Sequence, residues 1–208
     1  MFDIETFIEK NIVQYIIEHR GFKYPNINDK GLVLSVWKDY HFADIRSDDV
    51  VLDIGANLGA FSIMVSNKAK RVWAVEPLFY SELGRNLYSN NVRDYMIQPC
   101  ALGRAGQQVE LEYHNRRNKV PCKALFQLIT DCRRVDFLKL DAEGGEYCIS
   151  PWEIKGIRRI EAELHPFDIH GNKRNMGDFL RVLEQAKFTF DINVDGEFWL
   201  VHAYSEEI

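Results

Sequence analysis

The sequence predicts an α/β fold in which one mostly parallel sheet of seven strands is closed by an antiparallel C-terminal hairpin. Three observations support it. Residues 50–65 run from an apolar strand through a glycine turn into a helical pattern, further apolar runs alternate with helical patterns, and an Asp-Gly pair joins the last two strand-like runs. Alternating strands and helices are typical of a parallel sheet covered by helices. Asp-Gly between two strands is a strong hairpin signal.

Length and composition favour one substantial domain, because the chain has 208 residues and 46% of them are apolar. We predict an N-terminal helical extension over residues 1–47 and the α/β domain over residues 48–208. The net charge of −5 provides no positive field for nucleic acid or an anionic membrane. Apolar runs fall short of the roughly 20 residues of a membrane span. The four cysteines form no C-x-x-C pair, so we expect a cytoplasmic protein with reduced thiols.

The extension has two features with more than one interpretation. Residues 3–21 show helical apolar spacing, with Asp3 as a candidate N-cap and Gly21 as a stop signal. Three interpretations of that apolar face are open: packing on the domain, a lid over the substrate, or a homodimer contact. An aromatic group follows, which either covers the glycine turn or joins the core: Trp37, Tyr40, His41 and Phe42.

The sheet strands after the glycine turn are predicted at residues 72–76, 95–102, 135–140, 157–164, 188–194 and 197–204. Pro99 indicates that the third strand is an edge strand or ends there. Helices are expected between these strands, the clearest over residues 176–185. Residues 109–113 alternate and predict one extra antiparallel strand, and the basic residues 113–119 suggest a solvated loop.

The glycine turn at residues 53–59, Asp-Ile-Gly-Ala-Asn-Leu-Gly, indicates which cofactor binds. A dinucleotide fingerprint requires glycine at the position of Asn57, and a P-loop requires Gly-Lys-Ser/Thr, so neither phosphate motif is present. S-adenosyl-L-methionine (SAM) has no phosphates but carries a ribose diol that a carboxylate can bind. The backbone around Gly55 and the carboxylate of Glu76, at the end of the second strand, suit that cofactor.

Five motifs in order extend this interpretation: DIGANLG at residues 53–59, AVEP at 74–77, CALG at 100–103, DFLKLDAEGGE at 136–146 and EAELH at 161–165. Together they resemble the FkbM family of class I SAM-dependent methyltransferases over about residues 50–165. The resemblance implies a Rossmann-like methyltransferase sandwich, a fold known to end in an antiparallel hairpin. Residues up to 47 lie outside it.

The resemblance also implies a distribution of roles around the cofactor. The methionine part of SAM would lie against Asp53, Gly55, Asn57 and Gly59. The ribose would bind Glu76, and the adenine would lie against Cys100, Ala101 and Leu102. Asp141 would face the methionine end near the methyl acceptor.

Acidic residues and one histidine follow two of the predicted strands and are candidates for catalysis. A hydroxyl acceptor must lose its proton, which a carboxylate or imidazole can accept. His165 and Glu143 are the candidate bases, while Asp141 and Glu146 would position ligands. A metal held by Asp141 and Glu143 lacks a third spaced ligand, so no metal is assigned.

The resemblance favours O-methylation of a hydroxyl on a sugar, glycan or small metabolite. The acidic chain argues against a nucleic-acid partner, although the basic pairs at residues 116–117 and 158–159 keep an RNA methyltransferase as an alternative. A protein that binds SAM or a nucleoside without catalysis is the third possibility.

Overall fold

A computed structural model of the chain describes residues 30–113 and 116–207. The helix expected over residues 3–21 lies outside these residues. The helices are α1 (Lys30–Asp39), α2 (Ala60–Val65), α3 (Tyr80–Ser89), α4 (Leu125–Cys132) and α5 (Gly177–Gln185), with a 3₁₀ turn at Gly145–Cys148. The strands are β1 (Val50–Ile54), β2 (Arg71–Val75), β3 (Tyr95–Gln98), β4 (Ala101–Leu102), β5 (Gln108–Tyr113), β6 (Arg116–Lys123), β7 (Phe137–Leu140), β8 (Arg159–Leu164), β9 (Phe188–Asp195) and β10 (Phe198–Ser205).

The main sheet has seven strands in the order β3-β2-β1-β7-β8-β10-β9. The first five are parallel, and β10 runs antiparallel to both β8 and β9. The chain builds outward from β1 to β3 and then returns to place β7 on the other side of β1. This reversal opens a crevice beyond the carboxyl ends of β1 and β7, where ligands bind in open α/β sheets.

Helices cover both faces of the sheet, which is why its central strands are apolar on both sides. Leu52 and Leu138 face α4 and α5 in one core cluster. Val51 and Phe137, the adjacent residues along the same strands, face α1, α2 and α3 in the other. The aromatic group before β1 divides between core and surface: Tyr40 and Phe42 are buried, whereas Trp37 is partly exposed.

A second, three-stranded sheet, β4-β6-β5, lies beyond the end of β3. Its β5 is the extra strand expected at residues 109–113, and β3 ends before Pro99 at the sheet edge as predicted. The expected loop over residues 113–119 is wrong, because residues from Arg116 onward form β6 and pair antiparallel with β5. The side chain of Arg117 bonds Glu110 across this pair, with Nε 2.9 Å from Oε1. Those charged residues therefore belong to a hairpin.

The C-terminal hairpin forms as predicted, with a different pair of residues in its turn. Asp195 pairs with Phe198, so the two central residues are Gly196 and Glu197. Only Gly196 has a positive φ, of 59°, as the first central position of a type II′ turn requires. Among the described residues, no helix has the length and apolar character needed to cross a membrane.

Candidate active site

The glycine turn after β1 is held tightly between β2 and β7. The backbone N–H groups of Gly55 and Ala56 donate to the carbonyl of Val75, with N···O distances of 3.0 and 3.1 Å. Gly55 has a φ of +73°, and a Cβ atom there would lie 1.7 Å from the carbonyl oxygen of Asp141. Glycine is therefore required at this position both by conformation and by space.

Glu76 links the turn to the segment after β2 through its carboxylate. Its Oε2 accepts from the N–H of Asn57 at 2.9 Å, and its Oε1 accepts from those of Leu78 and Phe79 at 2.6 and 2.9 Å. Burial raises the pKa of Glu76, while these backbone donors act in the opposite direction. A carboxylate has about four acceptor sites, and these three N–H groups leave one of them, on Oε2, open to a ligand.

A cleft of ≈ 360 Å³ opens beside this carboxylate. Small-molecule sites are typically about 300–1,000 Å³ in volume. The wall contains seven of the nine residues that the sequence assigned to the cofactor: Gly55, Asn57, Glu76, Cys100, Ala101, Leu102 and Asp141. The small sheet supplies a further part of the wall, Glu110, Leu111 and Glu112, which the sequence did not indicate.

The two remaining assigned residues, Asp53 and Gly59, lie behind the cleft wall. Asp53 is fully buried, and its Oδ2 accepts from the Ser62 hydroxyl at 2.6 Å. Its Oδ1 has no hydrogen-bond partner among the described residues and lies 3.6 Å from Nζ of Lys139. Gly59 packs against α3, where a Cβ would lie 2.7 Å from Leu83 Cδ1. Both residues therefore support the turn from the core and do not line the cleft.

Lys139, on β7, is a buried cation that the sequence analysis did not single out. Its Nζ donates to the carbonyl of Gly55 at 2.8 Å and to Asp141 Oδ2 at 3.2 Å. Burial lowers the pKa of Lys139, but Asp141 and Asp53 outweigh it and the net pKa lies above the ordinary value. The alternation Lys139, Leu140, Asp141 is a signal that both charged side chains lie on one face of the strand.

The four proposed catalytic residues come together beyond the ends of β7 and β8. His165 is 2% exposed, and its Nδ1 lies 3.0 Å from Oε1 of the fully buried Glu146. Its Nε2 lies 3.4 Å from Glu143 Oε2 and 3.9 Å from Asp141 Oδ1. Glu143 has a positive φ of 49°, and its side chain is 55% exposed, so it lies on the solvent side of this group.

Glu163 and Tyr40 complete the cluster and were missed in the sequence analysis. Glu163 Oε1 lies 3.8 Å from His165 Nε2, and the Tyr40 hydroxyl donates at 3.4 Å to both Asp141 Oδ2 and Glu163 Oε2. Glu163 and His165 are two positions apart at the end of β8, a period that places them on one face. No local pattern relates Tyr40 to them, because it follows α1, far away in the sequence.

Burial and mutual repulsion change the proton affinities of this cluster. Burial, together with the charge of Asp141, raises the pKa of Glu163 to about 7. Burial alone would lower the pKa of His165, but Glu146, Glu143 and Asp141 outweigh it and raise that pKa to about 9. Burial also raises the pKa of Glu143. The cluster therefore holds protons at neutral pH more readily than isolated side chains would.

The parallel sheet with its final antiparallel hairpin, and the cleft at the glycine turn, define a class I methyltransferase fold. The methyltransferase FkbM domain matches residues 53–190, and the chain belongs to this family. It is a methyltransferase whose methyl donor is SAM.

Solved structures show the same fold at low sequence identity. An rRNA methylase from Streptococcus thermophilus is 8% identical with a TM-score of 0.54, covering 88% of this chain and 99% of its own. A precorrin-6y C5,15-methyltransferase from Geobacter metallireducens is 14% identical with a TM-score of 0.56, covering 88% and 93%. A fibrillarin pre-rRNA processing protein from Methanococcus jannaschii is 15% identical with a TM-score of 0.56, covering 87% and 76%. No curated protein matches the sequence.

Proposed function

We propose that this methyltransferase transfers the methyl group of SAM to a hydroxyl oxygen of a sugar, glycan or small metabolite. The observation that carries the proposal is the position of Asp141, which lines the cofactor cleft and also belongs to the acid and histidine cluster around His165. A proton acceptor thus lies directly beside the cofactor site. This is the arrangement that a hydroxyl acceptor needs.

The cleft residues fit the parts of SAM. Glu76 would accept from the ribose hydroxyls, and the apolar wall at Cys100, Ala101 and Leu102 would pack against the adenine. Gly55, Asn57 and Asp141 would surround the methionine part. The cofactor supplies a methyl group made electrophilic by a positively charged sulfur.

The residues of the chain then have to align the hydroxyl and receive its proton. The hydroxyl oxygen would take the methyl group from the sulfur of SAM and would give up its own proton to a side chain. Glu143 is the better placed of the two proposed bases, because its side chain lines the cleft, whereas His165 lies behind the wall. Asp141 would position the hydroxyl, and Glu146 holds the imidazole.

Contacts of the basic residues favour a small acceptor over RNA. Arg158 pairs with Asp44 and Asp49 at 2.9 and 2.6 Å, and Arg159 is fully buried. Arg117 is paired with Glu110. These arginines are therefore engaged within the protein, and the cleft wall is itself acidic at Glu110, Glu112 and Glu143. An acidic wall repels a phosphate backbone.

The test is a radiolabelled methyl-transfer screen over sugars, glycans, small alcohols and RNA, with calorimetry of SAM binding in parallel. For the best acceptor, we expect Glu143→Gln to lower kcat about 10²–10⁴-fold with nearly unchanged SAM affinity. Glu184→Gln, an exposed change on α5, is the matched control and should leave kcat unchanged. Transfer to RNA alone would overturn the proposal, and SAM binding without transfer to any acceptor would support a non-catalytic protein.

The cytoplasmic location and the homodimer suggested by the sequence remain predictions. Cell fractionation and light scattering of the full chain test them. The domain boundary between residues 47 and 48 is likewise a proposal, which limited proteolysis tests.

A further inference from the structure

Three side chains at the ends of β7 and β8 direct one ligand atom each toward a shared point. The atoms are Asp141 Oδ1, Glu163 Oε1 and His165 Nε2, and all three lie within 4.8 Å of one another. From Nε2 the two oxygens are 3.9 and 3.8 Å away. Neighbouring ligands of a metal with bonds of about 2.1 Å are separated by about 3.0–3.5 Å. Small side-chain movements would bring the three atoms to that spacing.

Each ligand is oriented by a second group that bonds its other polar atom. Asp141 binds Lys139 through Oδ2, and Glu163 accepts from the Tyr40 hydroxyl through Oε2. His165 Nδ1 contacts the buried Glu146. In metalloproteins, such outer partners orient the ligands, and a carboxylate on the second nitrogen of a ligating histidine is one recurring example.

His165 is independent evidence for a ligand at this point. Its side chain is 3% exposed, yet within the described part of the chain its Nε2 makes no hydrogen bond. The nitrogen instead faces carboxylate oxygens of Asp141, Glu143 and Glu163 at 3.4–3.9 Å, with no single close partner. Asp141 Oδ1, Glu163 Oε1 and Nε2 thus surround one point, which a metal ion would occupy by replacing the imidazole proton.

We propose that Asp141, Glu163 and His165 bind a divalent transition metal of the Mn²⁺ or Zn²⁺ class. Two carboxylates and one imidazole suit these ions, whereas Mg²⁺ prefers oxygen ligands alone. The local charge agrees, because four carboxylates surround His165 and Lys139 is the nearby ammonium. The sequence analysis considered Asp141 and Glu143 and found no third ligand for them; folding instead brings Glu163 and His165 to Asp141.

The metal site has a consequence for catalysis that rests on the proposed function. A cation beside Asp141 would align an acceptor hydroxyl at the methionine end of the cleft. His165 would then act as a ligand, and Glu143 alone would receive the proton. Binding of the metal itself depends on neither SAM nor an acceptor.

Calorimetry of the chelator-treated full chain with MnCl₂ and with ZnCl₂, without SAM, tests the site. We expect one ion per chain and at least a tenfold loss of affinity in Glu163→Gln and in His165→Gln. Glu146→Gln should weaken binding about 10–100-fold, as outer-partner changes do. His41→Ala tests the second group whose ligand atoms are close enough to hold an ion, His41, Glu161 and His202, and should leave binding at Asp141, Glu163 and His165 unchanged.

Absence of binding, unchanged affinity in Glu163→Gln, or loss of binding in His41→Ala would each overturn the metal site. SAM affinity measured on every variant reports whether that variant has folded. If His165→Gln does not fold, the metal affinity of the near-isosteric Glu163→Gln decides whether the metal site exists. Metal binding without methyl transfer to any hydroxyl would contradict only the proposed function. Full hydroxyl methylation by metal-free protein that binds neither ion would contradict only the metal site.

Discussion

At the scale of single residues, atoms of the site pack so closely that adding one methyl group would displace the backbone. Gly55 is the clearest case, since its missing Cβ would overlap the backbone carbonyl of Asp141. A backbone carbonyl cannot rotate away as a side chain can. The turn and β7 must therefore separate if any other residue replaces this glycine.

Gly55→Ala should lower the free energy of unfolding by several kcal/mol and abolish measurable SAM binding, because it combines a strained φ with this overlap. Gly106→Ala is the matched control: Gly106 has a φ of +76° but no atom within 4 Å of the added Cβ. It should cost about 1–2 kcal/mol for the left-handed conformation alone and leave SAM affinity unchanged. Urea unfolding and calorimetry on both variants provide the comparison. Equal effects in the two would show that overlap with Asp141 is unimportant.

Lys139→Met should destabilise the protein by about 3–5 kcal/mol, because it leaves the buried carboxylate of Asp53 and the partly exposed carboxylate of Asp141 without their cation. The side chain of Lys139 is 4% exposed and lies within 3.6 Å of both Asp53 and Asp141. Urea unfolding at neutral pH measures the loss, with the exposed Lys155→Met as control. A change below about 0.5 kcal/mol, the usual size for surface substitutions, would mean that the ammonium does not offset these charges.

The sequence identified residues whose role follows from local pattern and missed those whose role comes from packing. Gly55, Glu76 and Asp141 each lie at the end of a predicted strand or just after it, so their common position at one sheet edge could be inferred. Tyr40 meets Glu163 only because α1 packs over the sheet, a contact across 123 positions that no local pattern encodes.

At the scale of elements, the segment after β8 closes one side of the cleft. Asp168 organises it: its Oδ1 accepts from the N–H groups of His170 and Asn172 at 3.0 Å each, and its Oδ2 accepts from Arg174 at 2.8 Å. Gly144 packs beneath, where a Cβ would lie 2.4 Å from the carbonyl carbon of Asp168. The segment is therefore fixed to the turn after β7.

Asp168→Asn should lower stability at neutral pH by about 1–3 kcal/mol and weaken SAM binding, because the charged acceptor of several donors is lost. Burial would raise the pKa of Asp168, but hydrogen bonds from Asn172 and Arg174 hold it below its usual range. A carboxyl with a depressed folded pKa stabilises the fold above its unfolded pKa, near 4, and loses that contribution as the pH falls.

The difference in stability between wild type and Asp168→Asn should therefore be largest at neutral pH and shrink progressively below about pH 4. Urea unfolding across this range checks it, with Glu184→Gln as the exposed control. A difference that stayed constant with pH would show that the carboxylate charge is not what orders the segment.

The small sheet shows where element prediction failed. The run from Arg116 to Lys119 is basic and polar and was interpreted as part of a loop, yet it forms the first half of one strand of a hairpin. Its pairing with β5 places Glu110 opposite Lys119 and Glu112 opposite Arg117. Opposite charges across two strands stabilise such a pair. That cross-strand complementarity is visible only once the register is known.

At the scale of the whole molecule, the cleft forms where separate parts of the chain meet. Its wall comes from the turn after β1, the segment after β2, the small sheet, the turn after β7 and the segment after β8. The strand order that brings them together could be predicted in outline, because a parallel sheet ending in a hairpin follows from alternation and turn residues. The cleft itself also depends on the small sheet, of which the sequence predicted β5 as an extra strand but not its partner β6.

A ligand that contacts all these parts should stabilise the whole molecule, because it binds the folded state and not the unfolded chain. At a SAM concentration of 100 times its dissociation constant, the added stability is about 2.7 kcal/mol. For a domain of this size, 1 kcal/mol raises Tm by about 2–4 °C, so SAM should raise Tm by about 5–11 °C. Differential scanning fluorimetry measures the shift. NAD at the same concentration should give no shift in Tm, because the turn has Asn57 where a dinucleotide site needs glycine.

Glu76→Ala should reduce the SAM-induced shift in Tm far more than Glu184→Gln, since only Glu76 lines the cleft. A shift of equal size in both variants would mean that SAM binds outside the cleft.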